Sequence, residues 1–581
     1  VSTFRRVQGE LLLLLVIHLV LTGLPGVAAA LYAAHRGVGQ VPVLLGIGLA
    51  FSGILAFLGF LAYYGDPVLG QTFSFFVVFA SALLASWVLY RRQIDPSLLR
   101  GLAVPLALWA LGSLFLLFLG FLHGGVDHPV STAATRFSHP LPSDNIIPQF
   151  FADWFYLHGH RGTPPVFPGE WLSSDRPPLQ VGYVLMQRPF GWDSSGLHYQ
   201  VLGVVLQQLW IVGLWALLLA ARVSRLTRVL TMATVLVSGL ALVNGFFIWP
   251  KLLPAAMLLA AAALVLTPLW REVRGNLWAA ALFVALCAVA MLGHGSSVFG
   301  VIPLLAIAAV RGLPSWRWLG VAALVGIVLM APWSAYQKYG DPPGNRLTKW
   351  TLAGVVEIDD RGTSEAIVDA YREAGLGGAI HYKAENFVTM AGGAQAYDTL
   401  RAGFEAGSLT EIVKAVRFVA FLHLFPSLGL LLLGPLAMAL AWRRGPPDSN
   451  DWRFALATLI ALLVGAVGWA LLVIGSEADR TVIHIGSYLL PILGICAGVA
   501  GLRASFPRFA NVYVLVAALL SLALYVPALE PPPGTSYSVL DALLAAIGLA
   551  GFAAISAFGI GGEDRGSTPT PPLPAEIDSP A

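Results

Sequence analysis

The sequence predicts an all-α polytopic membrane protein with about fifteen transmembrane helices, and composition, the spacing of apolar runs and the placement of arginines each lead there. The chain is 57% hydrophobic with a mean hydropathy of +0.76. Only 11% of it is charged, against roughly 25% in a soluble domain, so most of it must sit in lipid. Apolar runs recur from Leu11 to Ile560, with no stretch between them long enough to bury a separate globular core. The formal charge of +3 is small and its arginines fall in short clusters between those runs. That is a topology signal and no argument for nucleic acid. Cys287 and Cys496 both lie inside apolar runs, which leaves neither a disulfide framework nor a Cys-ligated zinc site.

In hydrocarbon only hydrogen bonds within the segment satisfy the backbone, so each run of about twenty apolar residues reads as a helix. On that criterion helices fall near 11–33, 41–63, 70–90, 101–122, 198–221, 229–248, 251–269, 277–292, 298–310, 318–335, 417–441, 454–474, 487–502, 509–528 and 538–560. The first follows Arg5 and Arg6 as a signal peptide would, but it continues through Gly26 to Tyr32 without a cleavage site and is read as a span.

Orientation follows from the short loops. One set carries Arg36; Arg91, Arg92 and Arg100; Arg222, Arg225 and Arg228; Arg271 and Arg274; Arg311 and Arg317; Arg443, Arg444 and Arg453; and Arg503 and Arg508. The alternating set, 64–70, 293–297 and 530–536 among them, is almost free of positive charge. The first set is therefore expected in the cytoplasm, with the amino terminus outside and the carboxyl terminus inside; Arg5 and Arg6 are outvoted. The long polar segments 123–197 and 336–416 then share the outer face with the loops around Lys251, His294 and 480–487. A working surface facing the periplasm or exterior of a bacterial inner (plasma) membrane is the expectation. The reading divides the chain into additional N-terminal helices (1–100), a catalytic membrane core (101–505), C-terminal helices (506–560) and a disordered cytoplasmic tail (561–581) rich in Pro, Ser and Thr.

The first long loop holds His139-Pro-Leu-Pro-Ser-Asp144-Asn145-Ile-Ile-Pro-Gln-Phe-Phe-Ala-Asp153-Trp-Phe-Tyr156. Asp144 closes a Pro-rich turn and reads as a helix N-cap. Beyond it Ile147, Phe150, Phe151, Trp154 and Phe155 recur at helical spacing, an amphipathic helix suited to the membrane interface. Further on comes Ser174-Asp175-Arg176-Pro177-Pro178-Leu179-Gln180, whose two prolines fix an extended backbone and present Arg176 from a stiff segment.

An acidic residue after the first core helix, an interfacial aromatic helix, then a basic residue before Pro-Pro-Leu resembles the GT-C superfamily of glycosyltransferases. The pattern is most similar to the branch with protein O-mannosyltransferases and aminoarabinose lipid A transferases. A second match is Asp479-Arg480-Thr-Val-Ile-His484-Ile-Gly-Ser487-Tyr488-Leu-Leu-Pro491, where that branch has a basic residue followed by Tyr, an apolar pair and Pro. The usual Arg directly before the Tyr is missing, and Arg480 or His484 stands in. The resemblance covers roughly 101–505. It implies a GT-C-like fold with short amphipathic helices in two long outer loops, and inverting transfer from a polyprenyl-phosphate sugar reached from the bilayer. The acceptor it implies is a hydroxyl or amine on a glycan, lipid or protein.

Such a reaction needs a carboxylate to take the acceptor proton and fixed cations to meet the charge gathering on the leaving phosphate. Asp144 is the candidate base, with a pure helix cap as its rival. Arg176 is the first candidate for the phosphate, with His484, Arg480 and Lys251 as further contacts; simple snorkelling toward headgroups is the rival for Arg176. Trp249 before Lys251 reads as an interfacial anchor, and His294 either faces the donor or ends a helix. Glu170 and Asp175 are placed to orient neighbours, Asp153 to face solvent, and Asn145 and Tyr488 to contact substrate. Arg346 and Lys349, three apart, share one side of a helical turn and either hold an anion or are solvated. The scheme requires no metal or other cofactor beyond the lipid-linked donor, and His158 and His160, two apart, point to different helix faces. A flippase or other transporter of lipid-linked glycans would place charges at mid-bilayer, where these helices have almost none. A glycan polymerase or ligase would use similar outer loops without the Asp144 and Arg-Pro-Pro-Leu pairing.

Overall fold

The computed structural model describes residues 2–137, 141–191, 196–390, 393–422, 429–445, 447–474, 486, 488–526 and 537–559. Among these the chain is helical, without a strand. It opens with four long helices, α1 (Ser2–His35), α2 (Val41–Gly65), α3 (Pro67–Arg91) and α4 (Pro96–Gly120). The first long loop follows, with α5 (Pro129–Thr135), a 3-10 turn over Ser143–Ile146, α6 (Ile147–His158) and α7 (Leu179–Gln187). Then come α8 (Leu197–Gln207), α9 (Trp210–Ala220), α10 (Arg225–Val237), α11 (Gly239–Phe247), α12 (Leu252–Val265), α13 (Trp270–Val273), α14 (Leu277–Gly293), α15 (Val298–Val310) and α16 (Trp316–Ala335). The second long segment is itself helical: α17 (Arg346–Ala353), α18 (Thr363–Met390, broken at Gly375), α19 (Gly393–Glu405) and α20 (Leu409–Leu422). The bundle closes with α21 (Leu430–Trp442), α22 (Asn450–Leu472), α23 (Leu489–Ser505), α24 (Pro507–Tyr525) and α25 (Val539–Phe558).

Among the described residues nine helices are long and apolar enough to cross a membrane, or ten if the bent pair α10 and α11 is one span. That pair turns by 52° at Ser238, whose side chain caps the second piece, so the run expected as one helix near 229–248 is two. The run expected over 417–441 also divides, into α20 and α21, with 423–428 outside the described residues. Burial is graded as lipid requires. The α8–α9 stretch and α12 are wholly buried at the centre. The outer helices instead expose large apolar side chains such as Phe76 (66%), Phe79 (63%) and Leu83 (71%), a belt that water would not tolerate and hydrocarbon does. This is the architecture of an integral membrane protein.

The first three helices are built into the bundle. A Cβ on Gly182 of α7 would lie 2.0 Å from the Ala56 carbonyl oxygen of α2, so only glycine lets those two backbones meet. The bundle has two distinct ends. His160 binds the Gly65 carbonyl at 2.7 Å, which puts the α2–α3 turn beside the first long loop. The α1–α2 and α3–α4 connections lie at the other end, about 37 Å away by the rise of a 25-residue helix.

Candidate functional site

Arg176 and Asp144, thirty-two positions apart, meet: an Nη of the guanidinium donates to Oδ2 of the carboxylate at 2.8 Å. Each reaches that contact by local means. Phe167 and Trp171 bridge through paired backbone hydrogen bonds, and a 3-10 turn over Ser173–Asp175 then delivers Arg176 in extended conformation (φ −115°, ψ 108°), as a residue before proline must be. Pro178 is already helical and leads into α7, so the extended stretch expected of the two prolines ends before it. The guanidinium lies over the Trp171 ring, 4.0 Å from its centroid, and Arg346 approaches the same ring at 4.8 Å. Burial pulls the Arg176 guanidinium below its ordinary pKa while Asp144 holds it up. Its Nε has no hydrogen-bond partner among the described residues.

Asp144 is not a cap. It lies inside the 3-10 turn, α6 starts three residues later at Ile147, and neither start has a side-chain cap. Its carboxylate is turned to the arginine instead. The apolar stripe of α6 is likewise spent on protein and not on the membrane interface: Ile147, Phe151 and Phe155 are buried, with Phe155 edge-on to Phe60 of α2. Asp153, expected on a solvated face, pairs with Arg188.

Lys251 belongs to the same centre. Its ammonium is fully buried, 3.7 Å from the centroid of the Trp249 ring, and feels the charges of both Arg176 and Asp144. Trp249, expected as an anchor in lipid, is buried and faces this cation. His294 ends α14 and caps the turn that follows, its Nδ1 accepting from the Ser296 amide at 3.1 Å, and its ring lies within electrostatic reach of Lys251 and Arg176.

A chain of buried amides joins these pieces. Tyr199 donates to the backbone carbonyl of Asn145 at 2.6 Å, and Gln180 donates to the Tyr199 hydroxyl at 3.0 Å. Gln207 in turn donates to Gln180 at 3.1 Å and accepts from the amides of Leu252 and Leu253 at 3.0 and 3.1 Å. Those two amides open α12 and would otherwise be orphaned, because Lys251 gives the helix no side-chain cap. The neighbour of Asp144 is thus tied to the neighbour of Lys251. Asn145 itself is fully buried and its Oδ1 has no partner among the described residues.

The second long segment clasps the first. Asp341 accepts from the Ser173 hydroxyl at 2.6 Å and the Ser174 amide at 3.1 Å. Arg346 bonds the backbone carbonyls of Glu170 and Val356 and lies 3.5 Å from Asp175. Asp175 orients its surroundings, accepting from Leu172 N at 2.9 Å; burial raises its carboxyl pKa against the pull of that amide and of Arg346 and Arg176. Lys349 is fully buried and donates to the carbonyls of Asp359 and Arg361, so it is neither solvated nor directed to Arg176. Tyr488 is buried, with Asn244, one turn before Ile248, near its hydroxyl. Arg480 and His484 lie outside the described residues. His158 and His160 bond different carbonyls, those of Trp154 and Gly65.

Trp171, Tyr199, Gln180 and Gln207 were not singled out from the sequence as functional. Gln180 had a signal, since it ends the Arg-Pro-Pro-Leu-Gln stretch; Gln207, on an apolar helix, had its polarity alone. Chemically the centre sets Arg176 and Lys251 near Asp144, with the His294 ring, Asp175 and Arg346 also within electrostatic reach of Arg176, and the two buried cations are groups that can meet an anion. Compared with protein-family models, curated proteins and solved structures, the chain matches none.

Proposed function

We propose that this chain is an inverting membrane glycosyltransferase of GT-C type, with about fifteen spans, that moves a sugar from a polyprenyl phosphate to an acceptor hydroxyl or amine on the outer face of the membrane. The single observation that carries the reading is the contact of Arg176 with Asp144 beside buried Lys251. An arriving phosphate offers the guanidinium and the ammonium a better anion than one carboxylate does. Its capture by Arg176 and Lys251 releases Asp144 toward the acceptor. The acceptor oxygen or nitrogen then attacks the anomeric carbon from the face opposite the phosphate and gives its proton to Asp144. The bond from that carbon to the phosphate oxygen breaks, and the electron pair leaves with the polyprenyl phosphate, stabilised by the same two cations. A single displacement inverts the anomeric centre.

The location of buried charge favours a transferase over a transporter. Among the described residues the buried Asp, Lys and Arg side chains lie in the two long loops (Arg136, Asp175, Asp341, Arg346 and Lys349) or at helix ends (Arg228, Lys251, Asp451 and Asp541), while His18, within α1, is bonded to Gln187. A transport path would carry such groups through the middle of the bilayer. The test is sugar transfer by purified protein from a synthetic polyprenyl-phosphate sugar. Asp144→Asn keeps an acceptor for Arg176 but cannot take a proton, and turnover should fall about 10²–10⁴-fold with the protein still folded. Unchanged turnover removes Asp144 from the reaction.

A further inference from the structure

A second site lies at the opposite end of the bundle. Between α1, α2, α4, α7 and α9 is a cavity of about 230 Å³, lined by residues including Ala30, Leu31, Leu44, Leu102, Trp109 and Tyr183. It owes its width to small residues on the helices that frame it. A Cβ on Gly26 of α1 would lie 2.7 Å from the Gly48 carbonyl oxygen of α2, so those helices touch backbone to backbone and leave the space toward α4 unfilled. The polar groups on its wall are spent on one another. Ser52 bonds the Thr22 carbonyl and the Tyr183 hydroxyl, and Gln187 bonds the Thr22 hydroxyl. Among the described residues the lining is therefore almost wholly hydrocarbon. A cavity of about 150 Å³ with such walls already takes up an apolar guest, and this one is larger.

The mouth and its rim narrow down the guest. Leu89 of α3 and Leu99 and Ala103 of α4 line the cavity and are themselves exposed or partly exposed, so it opens to the lipid belt near the α3–α4 connection. Arg91, Arg92 and Arg100, all exposed, stand within two or three residues of those leucines, and Arg36 lies on the α1–α2 connection at the same end. Of the acids at this end, Asp95 caps α4 through the Ser97 amide at 2.8 Å and Glu272 accepts from Gln40 at 2.8 Å. An apolar slot entered beneath an arginine cluster fits a hydrocarbon chain below an anionic headgroup.

We propose that this cavity binds one chain of a phosphate-headed anionic lipid, with its headgroup on Arg91, Arg92 and Arg100. The site is separate from the Asp144–Arg176 centre and stands whether or not that centre transfers sugar. The test uses full-length protein in nanodiscs with three diazirine-tailed probes: phosphatidylglycerol, phosphatidylcholine and a polyprenyl phosphate. Crosslinked peptides are mapped by mass spectrometry. Phosphatidylglycerol or polyprenyl phosphate should label segments 22–31, 44–52 and 99–109 several-fold more than phosphatidylcholine, and whichever dominates identifies the source of the chain. Ala103→Trp, at the exposed mouth, should remove that labelling, and the triple change of Arg91, Arg92 and Arg100 to Gln should erase the preference for anionic probes. Labelling confined to the lipid-facing residues around Phe76, Phe79 and Leu83 would overturn the proposal, as would equal labelling by the phosphatidylcholine probe.

Discussion

Arg176 has two faces to satisfy, a ring beneath it and an anion at its edge. Trp171 supplies the first and Asp144 the second, and only the second can be exchanged for a phosphate without moving the chain. Replacing Trp171 by Ala should therefore loosen the guanidinium by roughly 0.5–2 kcal/mol, the range of a cation–π contact. The expected readout is a raised donor KM with the acceptor KM unmoved; an effect on acceptor alone would contradict it. That Asp144 and Arg176 would meet was legible in the sequence because an acid and a rigidly presented arginine in one long loop are chemically conspicuous. Trp171 was not, because a tryptophan in a loop of a membrane protein reads as an anchor and its stacking partner is set by the fold. The capping role weighed for Asp144 failed for a local reason: the 3-10 turn over Ser143–Ile146 sets it three residues ahead of α6, whose first amides receive no side-chain cap.

At the scale of elements, what matters is how α12 is made to begin under the site. Its first amides rest on Gln207, and Gln207 is held by Gln180, next in chain to the Arg-Pro-Pro-Leu segment. Gln207→Leu strands those amides and the Gln180 oxygen in an apolar core, at a cost of about 1–3 kcal/mol for each group left unsatisfied. Thermal unfolding should fall accordingly, while Gln207→Glu, which keeps the acceptor, should lose less. Tyr199→Phe removes the bond to the Asn145 carbonyl and the one accepted from Gln180, and should cost about 1–3 kcal/mol. Helix positions such as α14, α22 and α25 were readable from apolar length. The break at Ser238 was not, since a serine within an apolar run leaves the periodicity unchanged and only its capping of Ala241 reveals the turn. The glutamine chain was hidden for a related reason: its members sit on three helices far apart in sequence.

The molecule as a whole is a lipid-clad bundle with chemistry proposed at one end and lipid capture at the other. The N-terminal helices, set apart in the sequence as an addition, are packed against the α7 that follows Arg176. Gly182→Ala should force α7 off Ala56 and destabilise the fold by about 1–3 kcal/mol, read as a lowered unfolding temperature with donor binding weakened in parallel. An unaltered unfolding temperature would show that the two helices can separate freely. The most direct measurement of the central claim is a structure with a polyprenyl-phosphate sugar bound. The phosphate should sit about 2.7–2.9 Å from the nitrogens of Arg176 and Lys251, with the Asp144 carboxylate turned away from the guanidinium toward the acceptor side. A phosphate bound elsewhere, with Arg176 and Asp144 still joined, would contradict it.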